Sequence, residues 1–134
     1  MIYPIAIEPG DENTAYGVHF PDVPGCHSAG DTMDEALRNA KDALEGYLEF
    51  CLEEGEEVPA PGTVEQHKDN PDYTGYFWAM VDIDITPYLG KSQKINVTLP
   101  ERLIHKIDSM VTSNPRYKSR SDFLAQAAMD ELRA

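Results

Sequence analysis

The short segment Lys94–Leu99 constrains the fold of this chain more than any other stretch. Its apolar residues Ile95, Val97 and Leu99 alternate with polar ones, and a β-strand places alternate side chains on opposite faces. One face therefore requires a core. Only helical patterns follow, so we expect no later segment of the chain to pair with this strand. Because unpaired backbone groups beside a buried face are costly, the pattern predicts a homodimer whose two copies of the strand pair about a two-fold axis.

The polar face of the same strand carries Lys94, Asn96 and Thr98, three side chains that suit the edges of DNA bases. Lysine can bond guanine acceptors, asparagine can bond adenine at two atoms, and threonine can contact a polar edge or a thymine methyl group. A two-stranded ribbon also fits the major groove. We therefore expect these three side chains to read bases in DNA.

Two helical patterns complete the tail. Pro100 suits the first turn of the first helix, Asn114-Pro115 ends that helix, and Ser119 is the candidate N-cap of the second. The apolar stripes are Leu103, Ile104, Ile107, Met110 and Val111 in the first helix and Phe123, Leu124, Ala127, Ala128 and Leu132 in the second. We expect the stripes to interlock with those of a second copy, because residues 91–134 alone are too few to bury a sufficient core.

Residues 91–134 resemble a ribbon-helix-helix (β-α-α) DNA-binding domain. The resemblance is carried by the strand, Pro100, the first helix and the run Ser119-Arg120-Ser121-Asp122-Phe123-Leu124 that opens the last helix. In relatives of this kind the outward positions of the strand contact bases. Ser119, Arg120 and Ser121 are expected to hold phosphate through backbone N–H groups and the helix dipole. The simpler alternative is an αα-hairpin whose strand serves assembly alone.

The charges of the chain are divided unevenly along its length, and the net charge is −13. Residues 1–90 hold nineteen acidic and three basic side chains, whereas residues 91–134 hold five acidic and eight basic ones. The basic tail can approach phosphate, while the acidic front would repel nucleic acid and attract a basic protein. The division therefore predicts two partners of opposite charge.

Residues 1–89 show the pattern β-β-β-α-β, which is typical of an α+β domain. The predicted strands cover residues 2–7, 15–20, 27–30 and 76–85, and the predicted helix runs from an N-cap at Thr32 to Glu54 before Gly55. Pro4 suggests that the first strand lies at a sheet edge. The last strand places Val81, Ile83 and Ile85 on one face. Residues 58–75 are predicted to form a long exposed loop.

Two neighbouring sequence segments of this region resemble the HicB antitoxin family. They are Phe20-Pro21-Asp22-Val23-Pro24-Gly25-Cys26 and Gly30-Asp31-Thr32-Met33-Asp34-Glu35-Ala36-Leu37. The resemblance implies a degenerate ribonuclease-H-like domain over residues 1–89 without activity, and a HicA-like toxin partner, which is a small basic ribonuclease that cleaves mRNA. Members often append a DNA-binding tail, which would be the ribbon-helix-helix domain at residues 90–134.

The sequence therefore predicts an antitoxin that neutralises its toxin and represses its own operon by binding operator DNA. It would bind as a homodimer joined through the ribbon, and whether dimers pair into tetramers is left open. One rival is a metal-dependent nuclease that uses Asp82 and Asp84 on one strand face, joined by Asp22 and Glu45. The second rival is a DNA-binding regulator whose acidic domain senses a small ligand.

The remaining residues predict no enzyme, no cofactor and no metal site. Four scattered histidines lack a ligand set, although His19 and His27 flank the Pro-Gly corner and could approach each other. Cys26 and Cys51 have neither metal-type nor disulfide-framework spacing, which suggests a reducing cytoplasm. No apolar run approaches the roughly 20 residues of a membrane span.

Overall fold

The computed structural model describes residues 1–133, with side chains as far as Leu132. The chain folds as two compact units, Met1–Lys91 and Ser92–Ala134. The first contains β1 (Ile2–Glu8), β2 (Tyr16–His19), β3 (His27–Gly30), α1 (Met33–Glu54), α2 (Val64–His67) and β4 (Phe77–Asp82). The second contains α3 (Glu101–Ser113) and α4 (Arg120–Arg133). Among these residues no helix is long and apolar enough to cross a membrane.

The first unit is built on a four-stranded antiparallel sheet with strand order β3-β2-β1-β4. The predicted hairpin between the first two strands is confirmed, and so is the α+β pattern. β1 lies in the interior of the sheet, and its residues from Tyr3 to Ile7 are all buried. The two edges of the sheet are β3 and β4.

Pro4 lies in this interior strand, so the edge position predicted from it is wrong. β2 pairs with β1 only from Ala6 to Glu8, so β1 has no neighbour on that side at Pro4. Towards β4, Met1 and Ile83 exchange two hydrogen bonds of 2.8 and 2.9 Å. Because bonding alternates along an antiparallel strand, the Pro4 nitrogen faces away from β4. The missing N–H of proline therefore removes no ladder hydrogen bond.

Helix α1 begins and ends where the sequence predicts. The Thr32 hydroxyl accepts a hydrogen bond from the Glu35 N–H at 3.1 Å, and Gly55 ends the helix with a φ of 69°. The buried stripe of the helix is Ala36, Ala40, Leu44, Leu48 and Cys51. A Cβ atom at Gly30 of β3 would collide with the backbone of Ala36. The helix and β3 therefore pack backbone to backbone.

The core lies between α1 and one face of the sheet. The sheet contributes Tyr3, Ile5, Ile7, Val18 and Val81, and the segment that follows β4 contributes Ile83 and Ile85, which are all buried. The burial of the last three confirms the predicted alternation, because Met80, Asp82 and Asp84 are exposed. β4 itself ends at Asp82 rather than at residue 85, and the 3₁₀ turn Thr86–Tyr88 follows.

The predicted exposed loop, residues 58–75, contains local structure and is tied to the sheet. Its short helix α2 opens with a capping box, in which the side chains of Thr63 and Gln66 each accept a backbone N–H of the other residue. The Tyr3 hydroxyl donates to the Pro59 carbonyl at 2.6 Å. Burial raises the pKa of Tyr3 to about 12, so the hydroxyl keeps the proton that it donates.

The second unit buries little. Ile107 is the one buried residue among its described residues, and the predicted stripe residues Leu103 and Met110 are 43 and 44% exposed. Leu132 is 85% exposed. α3 ends before Asn114 as predicted, while Pro100 is the N-cap rather than a residue of the first turn. The apolar faces of α3 and α4 thus extend beyond what the two helices cover between them.

Two glycines of the first unit should respond oppositely to the same substitution. Gly30→Ala should lower the free energy of unfolding by about 1–3 kcal/mol or more, because the added methyl group overpacks the contact with α1. Gly46→Ala should raise it by about 0.5–1 kcal/mol, because Gly46 is exposed in α1 and an added Cβ would meet nothing within 4 Å. Urea unfolding of the full chain measures both. Equal effects would contradict the close packing of α1 on β3.

Candidate functional site

The segment predicted to form the ribbon has no partner within the described part of the chain. Residues 92–100 form no helix or strand, and no other strand pairs with them. The predicted dimer-core residues Ile95 and Val97 are 78 and 58% exposed, and Leu99 is half-buried. The predicted base-reading residues, Lys94, Asn96 and Thr98, are exposed. Exposure of these alternating apolar side chains to water is unfavourable until another surface covers them.

The start of α4 has the local geometry that the sequence predicts. The Ser119 hydroxyl accepts a hydrogen bond from the Asp122 N–H at 3.0 Å, which confirms Ser119 as the N-cap. The Asp122 carboxylate accepts the Lys118 N–H at 2.9 Å, and this bond lowers the pKa of Asp122. Arg120 and Ser121 are the first two residues after the cap, where N–H groups have no intrahelical acceptor. Phosphate binding at this position stays a prediction.

Arg120 has a contact that the sequence analysis missed. Its Nε and one terminal nitrogen donate to the two oxygens of Asp108, at 3.0 and 2.8 Å. This fork ties the start of α4 to the middle of α3, and the bond lowers the pKa of Asp108. Both side chains are about half exposed, at 54 and 47%. The guanidinium could therefore still face solvent and a further anion.

Three of the four carboxylates of the rival nuclease hypothesis have other partners. Asp82 lies 3.5 Å from the amino terminus, and Asp84 accepts the Thr86 N–H at 3.0 Å. Asp22 bonds His67 of α2. In the described part of the chain, no three histidine, cysteine or carboxylate side chains are placed to hold a metal ion. The arrangement gives the nuclease hypothesis no support.

A row of aromatic rings crosses the sheet on the face opposite α1. Ala6 in β1 pairs with Trp78 on one side and His19 on the other, and His19 pairs with His27. Direct cross-strand partners share a face. On the other face Ile7 pairs with Val18, and Gly30 of β3 meets α1.

Six rings make up this surface, which we call the aromatic row: His27, His19, Tyr76, Tyr73, Trp78 and His67. The His19 ring stacks on Tyr76 with centroids 5.6 Å apart, and it meets His27 edge-on at 5.4 Å. Tyr73 lies 5.8 Å from Tyr76 and meets Trp78 edge-on at 5.5 Å. The predicted approach of His19 and His27 is confirmed. The tyrosines and the tryptophan of the row were not predicted as site residues, although the sequence places four aromatic residues within positions 73–78.

The surroundings of the aromatic row are acidic. The Glu8 carboxylate lies 4.0 Å from the His19 ring. Desolvation and the Glu8 carboxylate raise the pKa of Tyr76, and desolvation and the Asp72 carboxylate raise that of Tyr73. At the far end of the row, His67 lies 2.8 Å from one oxygen of Asp22. The other oxygen of Asp22 is buried without a hydrogen-bond partner among the described residues.

The sheet, its helix and the tail together match a known family. The sequence profile of the family described as "HicB_like antitoxin of bacterial toxin-antitoxin system" matches residues 3–128. The chain therefore belongs to the HicB-like antitoxin family, as the resemblance of residues 20–26 and 30–37 implies.

Individual relatives agree with this assignment. The chain is 46% identical to an uncharacterised 14.9 kDa protein from the rep–hol intergenic region of Haemophilus phage HP1, over 98% of both chains. The crystal structure of the Burkholderia pseudomallei antitoxin HicB matches with 42% identity over 98% of both chains and a TM-score of 0.78. A chain from a HicA3 and HicB3 toxin-antitoxin complex matches with 33% identity and a TM-score of 0.55, covering 63% of this chain and 99% of the other.

Proposed function

We propose that this antitoxin binds and silences a HicA-like toxin through residues 1–91, and that it represses its own operon by binding operator DNA through residues 92–134. The observation that carries the proposal is the division of charge between two separately folded units. The acidic unit suits a basic protein, and the basic unit suits phosphate. A single partner, whether basic or acidic, would complement the charge of only one of the two units.

The toxin half of the proposal has support from a relative. The similar chain in the HicA3 and HicB3 complex matches with 33% identity, so a related antitoxin is known together with a toxin of the HicA kind. We assign to the first unit the degenerate ribonuclease-H-like fold that the family resemblance implies, acting as a binding surface without catalysis. Opposite charges should speed the encounter with the toxin more than they set the final affinity.

The DNA half of the proposal rests on the uncovered apolar groups of the tail. Two copies of Lys94–Leu99 would pair antiparallel as the ribbon of a ribbon-helix-helix dimer, with Ile95 and Val97 turned towards the helices of both copies. Lys94, Asn96 and Thr98 would then project from the other face into the major groove. Such a dimer covers the side chains that one copy leaves exposed. The open N–H groups at Ser119, Arg120 and Ser121 would hold flanking phosphates.

The first unit should neutralise the toxin without the tail. Residues 1–91 should bind a HicA-like toxin and stop its RNA cleavage, because the acidic surface lies in this unit. Pull-down and an RNA cleavage assay measure binding and neutralisation. Residues 92–134 serve as the control and should do neither. Capture of the toxin by the tail alone would overturn the assignment.

The outward residues of the ribbon should decide which DNA is bound. Asn96→Ala should weaken binding to the promoter DNA of this gene by about 1–3 kcal/mol, because two hydrogen bonds to one base are lost. Binding to a scrambled duplex should change little. Anisotropy titrations on both duplexes over a salt series measure this, with Gln93→Ala, an exposed amide just before the ribbon, as the matched control. Equal weakening on both duplexes would show that the ribbon does not read bases.

The same titrations separate the two roles open to Arg120. Arg120→Ala should weaken binding to both duplexes alike and flatten the salt dependence, because one phosphate contact is lost. Asp108→Ala breaks the same tie between α3 and α4 but leaves the guanidinium in place. It should therefore bind both duplexes at least as well as the unmodified chain. If Asp108→Ala weakens binding as much as Arg120→Ala, Arg120 acts only by holding the two helices together.

A further inference from the structure

We propose that the aromatic row, together with the Glu8 and Asp72 carboxylates beside it, is an arginine-binding surface on which a basic segment of the toxin docks. The proposal rests on the proposed function for the identity of its partner. It adds to that function a location on the first unit, the side chains that make the contact and the chemistry that they select.

The geometry leaves the aromatic row open to a partner. The row lies on the sheet face that α1 does not cover. His27 is exposed, and Tyr73, Tyr76 and Trp78 are partly exposed. Large aromatic side chains of this kind are enriched at the centres of protein interfaces, where they bury much area at low cost in side-chain entropy. Contacts between the rings fix their positions before a partner arrives.

The chemistry of the surface favours a guanidinium group. Arginine stacks on tyrosine and tryptophan faces and also forms paired hydrogen bonds with a carboxylate. The Glu8 carboxylate lies 4.0 Å from His19 and is 55% exposed, so it is within reach of a cation stacked on the His19 and Tyr76 rings. Asp72 is exposed and directly precedes Tyr73 in the turn Pro71–Tyr73. Desolvation and the Asp72 carboxylate both raise the pKa of Tyr73 and of Tyr76. Rings and carboxylates thus converge at the middle of the row.

The charges of the first unit indicate that the cation must come from outside this unit. Arg38 and Lys41 belong to α1, which packs on the opposite face of the sheet. Lys68, next to the row, bonds Glu65 at 3.0 Å. A second copy of this strongly acidic unit, or a nucleic acid, would meet electrostatic repulsion here. A basic protein would be attracted to the same surface.

Trp78 provides a direct readout, because it is the one tryptophan in the sequence and belongs to the row. In a fluorescence titration of the full chain, a hexa-arginine peptide should change the Trp78 emission saturably. A hexalysine peptide of equal charge should bind at least about fivefold more weakly. The lysine ammonium group lacks the planar guanidinium that stacks on an aromatic ring and forms two parallel hydrogen bonds with a carboxylate. Equal binding of the two peptides would show attraction by bulk charge only. A larger response to an oligouridine RNA would assign the row to nucleic acid instead. Either result would overturn the proposal.

Matched variants separate this surface from the rest of the unit. Tyr76→Ala and Glu8→Gln should each weaken hexa-arginine binding by about tenfold, which equals about 1.4 kcal/mol. Phe50→Ala and Glu53→Gln remove the same kinds of group from exposed positions on α1 and should change it by less than about twofold. Tyr76→Phe keeps the ring, so it should bind like the unmodified chain even if Tyr76→Ala proves unstable in urea. Equal losses in the row and α1 variants would contradict the proposal.

The last experiment measures the binding of the toxin itself to the same variants. A HicA-like toxin should lose affinity for the variants in the same order as hexa-arginine does. If the toxin binds every variant equally, the proposed function stands and the aromatic row is not its docking surface. If the toxin binds no form of the chain, the proposed function fails, whatever the peptides do.

Discussion

The backbone hydrogen-bonding groups of residues 94–99 are the constraint on which the second unit depends. A strand needs a neighbour, and the described residues of the chain offer none. The same segment exposes Ile95 and Val97, while α3 and α4 bury only Ile107 between them. A second copy would supply the hydrogen bonds and the apolar cover at once. In the proposed function, DNA binding would follow from dimer formation, because only a paired ribbon would present six outward side chains to the groove.

In the first unit, strand pairing and the burial of apolar side chains are both completed within one chain. Its interior strand β1 is paired on both sides and α1 covers one face. On the other face, His67 of α2 stacks on Trp78 of β4 with ring centroids 6.5 Å apart. What stays open is a face with aromatic rings and carboxylates but few cations. A unit of this kind suits a basic protein surface. The proposed function thus assigns toxin binding to the acidic unit and DNA binding to a dimer of the basic unit.

Local patterns predicted much of this structure because their causes are local. The ends of α1 follow from Thr32 and Gly55, and the N-cap of α4 follows from Ser119. The fork between Arg120 and Asp108 joins residues twelve positions apart on two helices, so no local rule finds it. The edge position predicted from Pro4 was wrong because proline requires only that its nitrogen face no partner strand. β2 stops short of Pro4, so an interior strand satisfies that requirement as well.

The aromatic row depends on register, which the sequence does not fix. His19 meets Tyr76 only because β2 and β4 both pair with β1 in the observed alignment, and a shift of one residue would turn the rings to the core. The row is therefore a product of the whole sheet. Tyr73 contacts Trp78 from the 3₁₀ turn Pro71–Tyr73, which lies within the predicted loop.

Amide hydrogen exchange of residues 94–99, measured over a range of protein concentrations, tests the pairing of the ribbon most directly. Alternate amides of this segment should exchange slowly at high concentration, because each bonds the partner strand. Their protection should disappear on dilution as the dimer dissociates. Exchange at the rate of an unstructured peptide at every concentration, with α3 and α4 still protected, would contradict a paired ribbon.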